Sequence, residues 1–98
     1  VEAFNCYCKA AAQGDSEAQR LLGICYECGY GVKQNYDEAV KWYRKSAAQG
    51  NTCVLKRLGD CYCYGYGVEK DSAEAIKLYT QAAAKGDEYA KFQLSALT

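Results

Sequence analysis

The residues of this chain that could do chemistry are its cysteines. There are seven of them among 98 residues, and the sequence contains no histidine. Cysteine thiolates can bind zinc or exchange disulfides. Histidine is the commonest general base and the commonest metal ligand, so its absence leaves any such chemistry to cysteine. The cysteines are Cys6, Cys8, Cys25, Cys28, Cys53, Cys61 and Cys63.

The spacing of these cysteines disfavours both a zinc site and a redox pair. Cys25-x-x-Cys28 resembles half of a zinc site, but such a site needs four converging ligands. Cys61 and Cys63 lie two positions apart in a helical pattern, so their side chains should point in roughly opposite directions. A thioredoxin-like motif needs a strand before the helix, and no strand pattern precedes Cys25. A cysteine-dependent metal site stays as the alternative hypothesis.

A second pattern with chemical potential is the glycine motif Gly-Tyr-Gly-Val, at 29–32 and again at 65–68. Glycines one residue apart allow backbone angles that other residues resist. A phosphate-binding loop would need a flanking strand and a lysine-serine pair, and neither flanks this motif. The motif therefore predicts a turn between helices.

The motif belongs to a repeat of 36 residues. The same spacing separates three glycines, three leucines and three tyrosines, and stacked-repeat proteins have periods in this range. The recurring residues are mostly small, aromatic or aliphatic, so they govern packing, which favours a scaffold over an enzyme. The triplets are Gly14, Gly50 and Gly86; Leu22, Leu58 and Leu94; and Tyr7, Tyr43 and Tyr79.

The elements that position these residues are predicted to be helices, with no competing strand pattern. Asp15 is expected to cap a helix start, and Asn35 with Glu38, like Asp71 with Glu74, forms the sequence pattern of a capping box. Helical spacing predicts helices at residues 2–13, 16–28, 36–49, 52–64, 72–85 and from 87 onward.

Helical periodicity also predicts which side chains are buried. Gly23, which recurs as Gly59, has no side chain and should allow close approach of a neighbouring helix. The predicted inward positions are Ala3, Phe4, Tyr7, Ala10 and Ala11; Ala18, Leu21, Leu22, Cys25 and Tyr26; and Ala39, Val40, Trp42, Tyr43, Ala47 and Ala48.

The composition and length of the chain limit the classes of partner and the number of domains it can have. The net charge is zero and the charges are interspersed, so nothing indicates a nucleic-acid or membrane-surface partner. No apolar run approaches the roughly 18 residues of a membrane span. The length predicts one domain, and the pattern predicts that the chain is a piece of a longer array, since it starts and stops within repeats.

The joint spacing of the repeated residues resembles the Sel1-like repeat over the whole chain. The second copy keeps the pattern with Leu78 in place of Trp42. The matching residues of the first full copy are Leu22, Gly23, Tyr26, Gly29, Gly31, Val32, Ala39, Trp42, Tyr43, Lys45, Ser46, Ala47, Ala48, Gln49 and Gly50.

This resemblance implies an all-α, right-handed α/α solenoid of stacked antiparallel helix pairs, related to tetratricopeptide arrays. The expected units are 1–14 as the end of a repeat, 15–50 and 51–86 as full repeats, and 87–98 as the start of another. Such proteins act as non-enzymatic adaptors for proteins or peptides, with no catalytic residues, metal or cofactor in the motif.

The resemblance also bears on the cysteines. In cysteine-rich secreted members, one disulfide per repeat ties paired helices together. Here only Cys25 and Cys61 recur with the period, and the total is odd. We therefore expect free thiols and a reducing compartment such as the cytoplasm, in preference to secretion or the endoplasmic-reticulum lumen. A secreted, disulfide-stabilised module stays as the alternative.

The expected binding surface also follows from the resemblance. In tetratricopeptide arrays the first helix of each pair lines the concave face. Exposed aromatic residues outside the core pattern, such as Tyr64 and Tyr89, are suitable interface anchors. The alternative for Tyr89 and Phe92 is packing against a following repeat. The predicted partner-binding residues are Glu17, Arg20, Ile24, Glu27, Lys56, Asp60, Cys63, Tyr64, Tyr89 and Phe92, with Cys28, Cys53 and Ala96 beside them.

Overall fold

The computed structural model describes residues 2–97, which form six α-helices and one short 3₁₀ helix, with no β-strand in that range. The all-α prediction is therefore confirmed. The helices are α1 (Glu2–Ala12), α2 (Ser16–Cys28), α3 (Tyr36–Ala48), α4 (Leu55–Tyr64), α5 (Ser72–Ala84) and α6 (Glu88–Leu97), and the 3₁₀ helix is Thr52–Val54.

The helices stack as antiparallel pairs into an α/α solenoid. Helix α2 packs chiefly against α3, and α4 packs chiefly against α5. The two pairs meet through α3 and α4, while α1 packs on α2 and α6 packs on α5. The result is elongated, with principal extents of 41 × 23 × 18 Å, as expected when each repeat contacts only its neighbours.

One predicted helix begins differently. The range 52–64 was expected to be a single α-helix, but it opens with the 3₁₀ turn Thr52–Val54 before α4 begins at Leu55. The side chain of Asn51 accepts a hydrogen bond from the backbone N–H of Cys53, only two residues on, at 3.0 Å. This short-range cap accompanies the tighter winding of the first turn.

Local capping sets the other helix starts. The predicted N-caps are confirmed, because each side-chain oxygen accepts from a backbone N–H of the first turn: Asp15 from Glu17 and Ala18, Asn35 from Glu38, and Asp71 from Glu74.

The reciprocal half of the two predicted capping boxes is not formed. The backbone N–H of Asn35 donates to the carbonyl of Tyr26, and that of Asp71 to the carbonyl of Tyr62, both at 2.8 Å. The carboxylate of Glu38 instead accepts from Lys41 at 3.1 Å. The chain returns alongside the end of the preceding helix, so a main-chain acceptor replaces the expected glutamate.

The glycine motif forms the turn inside each helix pair. Gly29 and Gly65 end α2 and α4 in the left-handed conformation, with φ of 77° and 76°. Gly67, also left-handed, approaches the preceding pair so closely that a Cβ there would lie 2.4 Å from the carbonyl oxygen of Tyr36. Beside it, the rings of Tyr66 and Tyr36 stack with centroids 4.8 Å apart. The turn therefore also joins one pair to the next.

Inside each pair, a glycine of the first helix makes room for a tyrosine of the second. A Cβ at Gly23 would lie 2.5 Å from the Cε1 atom of Tyr43, and one at Gly59 would lie 2.7 Å from Cε1 of Tyr79. Both tyrosines are fully buried. The sequence predicted a close approach at these glycines, and the structure identifies the aromatic ring that makes it.

The core runs mainly through α3, α4 and α5. Two predicted inward residues, Ala3 and Ala48, are instead exposed. Each lies in a terminal turn of its helix, outside the packed centre of the pair. The residues buried in this core are Ala39, Val40, Tyr43, Val54, Leu55, Leu58, Cys61, Cys63, Ala75, Leu78, Tyr79, Ala82 and Ala90.

Candidate partner-binding surface

The first helices of successive pairs, α2, α4 and α6, lie side by side. Arg57 on α4 forms an ion pair with Glu27 on α2, with 3.6 Å between nitrogen and oxygen. The hydroxyl of Tyr89 on α6 donates to the carboxylate of Asp60 on α4. The structure thus brings most predicted partner-binding residues onto three adjacent helices.

These residues divide into an outer and an inner set. Phe92 is 70% exposed, Tyr64 53% and Tyr89 41%. Cys63 is buried, and Ile24 packs against the core, so neither offers a free contact surface. We use the name first-helix surface for the outer set, which comprises Glu17, Arg20, Lys56, Tyr64, Tyr89 and Phe92.

The burial of Cys63 has a physical reason. Cys61, two positions earlier, is also buried, although helical geometry directs the two side chains differently. Helix α4 lies between neighbours: it packs against α3 and α5, and it contacts α6 through Asp60. The faces of α4 that carry Cys61 and Cys63 are therefore both covered by neighbouring helices.

Two carboxylates from the predicted site bind buried tyrosines. Glu27 accepts a hydrogen bond from the hydroxyl of Tyr43 at 2.5 Å. Asp60 accepts a hydrogen bond from the hydroxyl of Tyr79. It also accepts from the hydroxyl of Tyr89, whose oxygen lies 2.9 and 3.0 Å from the two carboxylate oxygens. Because a buried hydroxyl without a partner is costly, these carboxylates stabilise the fold behind the first-helix surface.

The two repeats supply this carboxylate from different positions. In the first copy it comes from Glu27, while Ile24 occupies the position one turn earlier. In the second copy, 36 residues on, it comes from Asp60, which is in register with Ile24, while Cys63 is in register with Glu27. Positions three apart on a helix share a face, so either one reaches the tyrosine.

Burial controls the protonation of these groups. Burial, and then the hydrogen bond to a carboxylate, raises the pKa of Tyr43, of Tyr79 and of Tyr89. All three phenols therefore stay neutral donors near neutral pH. Burial also raises the pKa of the Cys61 thiol to about 12, so this thiol is protonated and unreactive.

Gln93 on α6 supports this surface from behind, which the sequence did not reveal. It is buried, and its Nε2 atom lies 3.2 Å from the hydroxyl oxygen of Tyr64, 3.4 Å from that of Tyr79 and 3.3 Å from that of Tyr89. Its register positions in the other copies hold Leu21 and Arg57, so the repeat pattern carries no signal for it. Gln93 fixes the exposed tyrosines relative to each other.

A shallow pocket of about 280 Å³ opens between α4 and α6. Its lining consists of Lys56, Arg57, Asp60 and Tyr89. The ammonium of Lys56 lies 5.9 Å from the centre of the Tyr89 ring and 3.8 Å from a carboxylate oxygen of Asp87. The pocket thus combines two cations with an aromatic wall.

Arg20 differs from these cations, because its guanidinium has a hydrogen-bond acceptor on the same helix. Its guanidinium donates to both carboxylate oxygens of Glu17, one turn earlier. The hydrogen bond from Arg20 lowers the pKa of Glu17. The charges at this end of the first-helix surface are therefore largely matched within α2.

All seven cysteines are free thiols. In the described part of the chain, no group of three or more histidine, cysteine, aspartate or glutamate side chains converges where it could hold a metal ion. Residues 2–97 also include no helix that is long and apolar enough to cross a membrane.

Comparison with protein families gives a match over most of the chain. The Sel1 repeat model matches residues 1–15, 16–51 and 55–87. Two curated proteins match over 32 residues: DAP3-binding cell death enhancer 1 of Rattus norvegicus, at 59% identity, and that of Mus musculus, at 56%. Each match covers 33% of this chain, which spans only 6% of the length of these relatives.

Three solved structures share the fold closely. A protective antigen from uropathogenic Escherichia coli strains, displaying an SLR fold, superposes with a TM-score of 0.91 at 40% identity, covering 93% of this chain and 20% of the antigen. A Sel1 repeat protein from Oxalobacter formigenes gives 0.90 at 36%, covering 94% and 27%. Helicobacter pylori cysteine rich protein B gives 0.83 at 30%, covering 93% and 68%.

Proposed function

Because this chain belongs to the Sel1 repeat family, we propose that it is a non-enzymatic adaptor module that binds a protein or peptide on its first-helix surface. Sel1 repeats are generally protein–protein interaction modules. The finer part of the proposal, namely which surface is used, rests on the residues of this chain.

The observation that carries the proposal is the row of exposed aromatic rings on α4 and α6. Phe92, Tyr64 and Tyr89 are each at least two-fifths exposed. Two of them are held in place, since the hydroxyls of Tyr64 and Tyr89 both contact Gln93. Rigid exposed aromatic side chains are the usual anchors of interfaces, and pre-organisation reduces the entropy lost on binding.

The other predicted residues take supporting roles in this proposal. Glu27 and Asp60 hold the tyrosines of the second helices, and Ile24 and Cys63 pack inside. Lys56 lies beside Tyr89 and provides a polar contact at the edge of the aromatic row. The surface therefore has aromatic anchors with charged neighbours, an arrangement typical of interfaces.

A non-enzymatic role is supported by the state of the reactive groups. The chain has no histidine to act as a general base. The recurring thiol of Cys61 is buried, with its pKa raised to about 12. The tyrosines with raised pKa values serve as hydrogen-bond donors to carboxylates that hold the helices together.

Site-specific photo-crosslinking tests the proposed surface. A benzophenone amino acid replaces Phe92 in the full chain, and the matched control carries it at Lys77, an exposed residue of the second helix α5. We expect the residue at position 92 to form a discrete crosslinked adduct with a protein partner, and the residue at position 77 to form none. Equal labelling from both positions, or an adduct from position 77 alone, would place binding elsewhere.

Affinity measurement with the identified partner gives the second part of the test. Phe92→Ala should weaken binding, while Lys41→Ala with Lys77→Ala on the second helices should leave Kd unchanged. Circular dichroism of each variant checks that the helices remain folded. An unchanged Kd for a folded Phe92→Ala variant would contradict the proposed surface.

A further inference from the structure

Three tyrosine rings lie against one another where the second glycine turn meets the preceding helix pair. The ring of Tyr66 stacks on that of Tyr36, with centroids 4.8 Å apart and planes at 13°, and the ring of Tyr64 lies 5.6 Å from that of Tyr66. Tyr36 begins α3, Tyr64 ends α4, and Tyr66 lies in the turn that follows. We use the name tyrosine stack for these three residues.

The tyrosine stack is both exposed and held in place. Tyr64 and Tyr66 are each at least two-fifths exposed. The backbone of Gly67 lies directly against the carbonyl of Tyr36, and the hydroxyl of Tyr64 is fixed by Gln93 on α6. A surface that is already ordered loses little entropy when a ligand binds.

The hydroxyl groups of the tyrosine stack have donor capacity that the chain does not use. The hydroxyl oxygen of Tyr36 accepts from Nε2 of Gln34 at 3.3 Å, and that of Tyr64 accepts from Nε2 of Gln93 at 3.2 Å. Neither O–H group has an acceptor within residues 2–97, and the hydroxyl of Tyr66 has no hydrogen-bond partner in that range. The stack therefore offers hydrogen-bond donors to a ligand.

The stack is also free of direct contacts with charged side chains in the described part of the chain. The cations that lie over aromatic rings there are over Trp42, Tyr62 and Tyr89, and the hydroxyls of the stack contact only glutamine side chains. An uncharged ligand that is rich in hydrogen-bond acceptors and has apolar surface fits this chemistry.

We propose that the tyrosine stack binds a proline-rich segment of a partner protein in the polyproline II conformation. The inference rests on the proposed function and names the chemistry of the partner, since Tyr64 also belongs to the first-helix surface. Proline-rich segments dock on surfaces lined by aromatic rings. Each proline supplies a carbonyl acceptor and an apolar ring but no N–H donor, which matches the unused hydroxyl donors of the stack.

The dimensions of the stack agree with this ligand. A polyproline II helix rises about 9 Å in one turn of three residues. The outer rings, those of Tyr36 and Tyr64, are no further apart than about one such turn, so one turn of the peptide spans the stack. The chain itself contains no proline, so a second copy of it cannot supply the segment.

Titration of the full chain with three uncharged probes tests the stack, followed by nuclear magnetic resonance of the backbone and of the tyrosine rings. The probes are acetyl-hexaproline-amide, an acetylated Gly-Ser hexapeptide amide, and maltohexaose, an oligosaccharide whose apolar faces also pack on aromatic rings. We expect hexaproline to shift the signals of Tyr36, Tyr64 and Tyr66 and to bind at least about tenfold more tightly than either other probe. The proposal is overturned if the Gly-Ser peptide binds as tightly, if the sugar binds best, or if hexaproline shifts only signals outside the stack.

Variants at one register position supply the matched control. Tyr66 and Tyr30 lie 36 residues apart in the two glycine turns, and both are exposed, but Tyr30 contacts no other aromatic ring within residues 2–97. Tyr66→Phe keeps the stacked ring and removes only its hydroxyl, so it should leave stability unchanged and weaken hexaproline binding about threefold. Tyr66→Ala should weaken binding further.

Tyr30→Phe and Tyr30→Ala should leave the affinity for hexaproline unchanged. Circular dichroism checks that every variant remains folded. Wild-type affinity in either folded Tyr66 variant, or an equal loss in the corresponding Tyr30 variant, would refute the proposal.

The outcome can be told apart from that of the proposed function. Crosslinking from position 92 reports whether the first-helix surface contacts a partner, whatever the chemistry of that partner. A discrete adduct together with no preference for hexaproline would refute the proline-rich ligand and leave the adaptor role in place. Hexaproline binding at the stack with no adduct from position 92 would support the ligand and contradict the first-helix surface.

Discussion

The ring of Tyr79 occupies the space that a side chain at Gly59 would need, with its Cε1 atom 2.7 Å from the position of a Cβ. The same relationship joins Tyr43 to Gly23, 36 residues earlier. In both copies the glycine lies within a helix, where it costs about 1 kcal/mol relative to alanine. The contact with the tyrosine explains why glycine occupies both positions.

Substitution of Gly59 should therefore destabilise the fold, although alanine and leucine are better helix formers. We expect Gly59→Leu to be severely destabilised, and Gly59→Ala to lose about 1–3 kcal/mol through overpacking. Urea denaturation measures both. In a Tyr79→Leu background, Gly59→Ala should cost much less, because the ring is gone. An unchanged melting temperature for Gly59→Leu would refute the packing argument.

The two glycines of the second turn should respond differently to alanine. Gly65 and Gly67 have nearly equal positive φ values, 76° and 71°, so the conformational strain is matched. A Cβ at Gly65 has no neighbour closer than 3.6 Å, whereas one at Gly67 would meet the backbone of Tyr36 at 2.4 Å. Both variants should lose about 1–2 kcal/mol from strain, and Gly67→Ala should lose more. Equal losses would show that the turn can move away from α3.

Asp60 should be important for stability as well as for the surface. Asp60→Ala removes the acceptor of two tyrosine hydroxyls, one of them on a buried side chain. A loss of about 1–3 kcal/mol is expected, measured by urea denaturation. Glu69→Ala, at an exposed position in the loop before α5, is the control and should change little. If Tyr79→Phe with Asp60→Ala costs as much as both single changes together, the two residues are not coupled.

Alkaline pH should unfold the protein through its buried tyrosines. The pKa values of Tyr43 and Tyr79 are raised above the usual 10.0, chiefly by burial. Their contribution to stability is full below pH 10 and is lost as pH rises toward the folded-state values, because the unfolded chain releases those protons first. The absorbance of tyrosinate and circular dichroism should change together for these residues. Ionisation of every tyrosine in a still-folded chain would contradict this.

Thiol labelling should separate the cysteines into two classes. Cys6, Cys28 and Cys53 are exposed and should react rapidly in the folded protein, whereas Cys25, Cys61 and Cys63 are buried and should react slowly. Cys8, which is partly buried, should react at a rate between those of the two classes. After denaturation under non-reducing conditions all seven should react. Elemental analysis for zinc is the companion measurement. Fewer than seven thiols, or stoichiometric zinc, would favour the disulfide or metal alternative.

Much of the fold could be predicted because its signals are local. The bounds of α2 are those expected, since Asp15 caps its start and Gly29 ends it, and both act through neighbouring backbone groups. Because the glycine and the tyrosine both recur every 36 residues, the same packing of glycine against tyrosine is found in both helix pairs. The 3₁₀ turn before α4 was missed, because Asn51 caps only the N–H two residues on, whereas Asp15 also caps the N–H three residues on.

The candidate surface was less predictable, because its contacts join distant parts of the chain. Glu27 and Asp60 appeared as solvent-facing groups by their helical register, but their tyrosine partners lie 16 and 19 residues away. Gln93 reaches Tyr64 across 29 residues. Such hydrogen bonds depend on how the helices are placed in space, which a repeat pattern in one sequence does not encode residue by residue.

The alternation of Ile24 and Glu27 with Asp60 and Cys63 has a consequence for building new arrays from these repeats. A repeat that is duplicated whole carries one acceptor for its tyrosine. A repeat assembled by choosing each position independently from the two copies can combine Asp60 with the equivalent of Glu27, or Ile24 with the equivalent of Cys63. The first hybrid places two like charges beside one hydroxyl, and the second leaves that hydroxyl without an acceptor. The two positions must therefore be inherited as a linked pair.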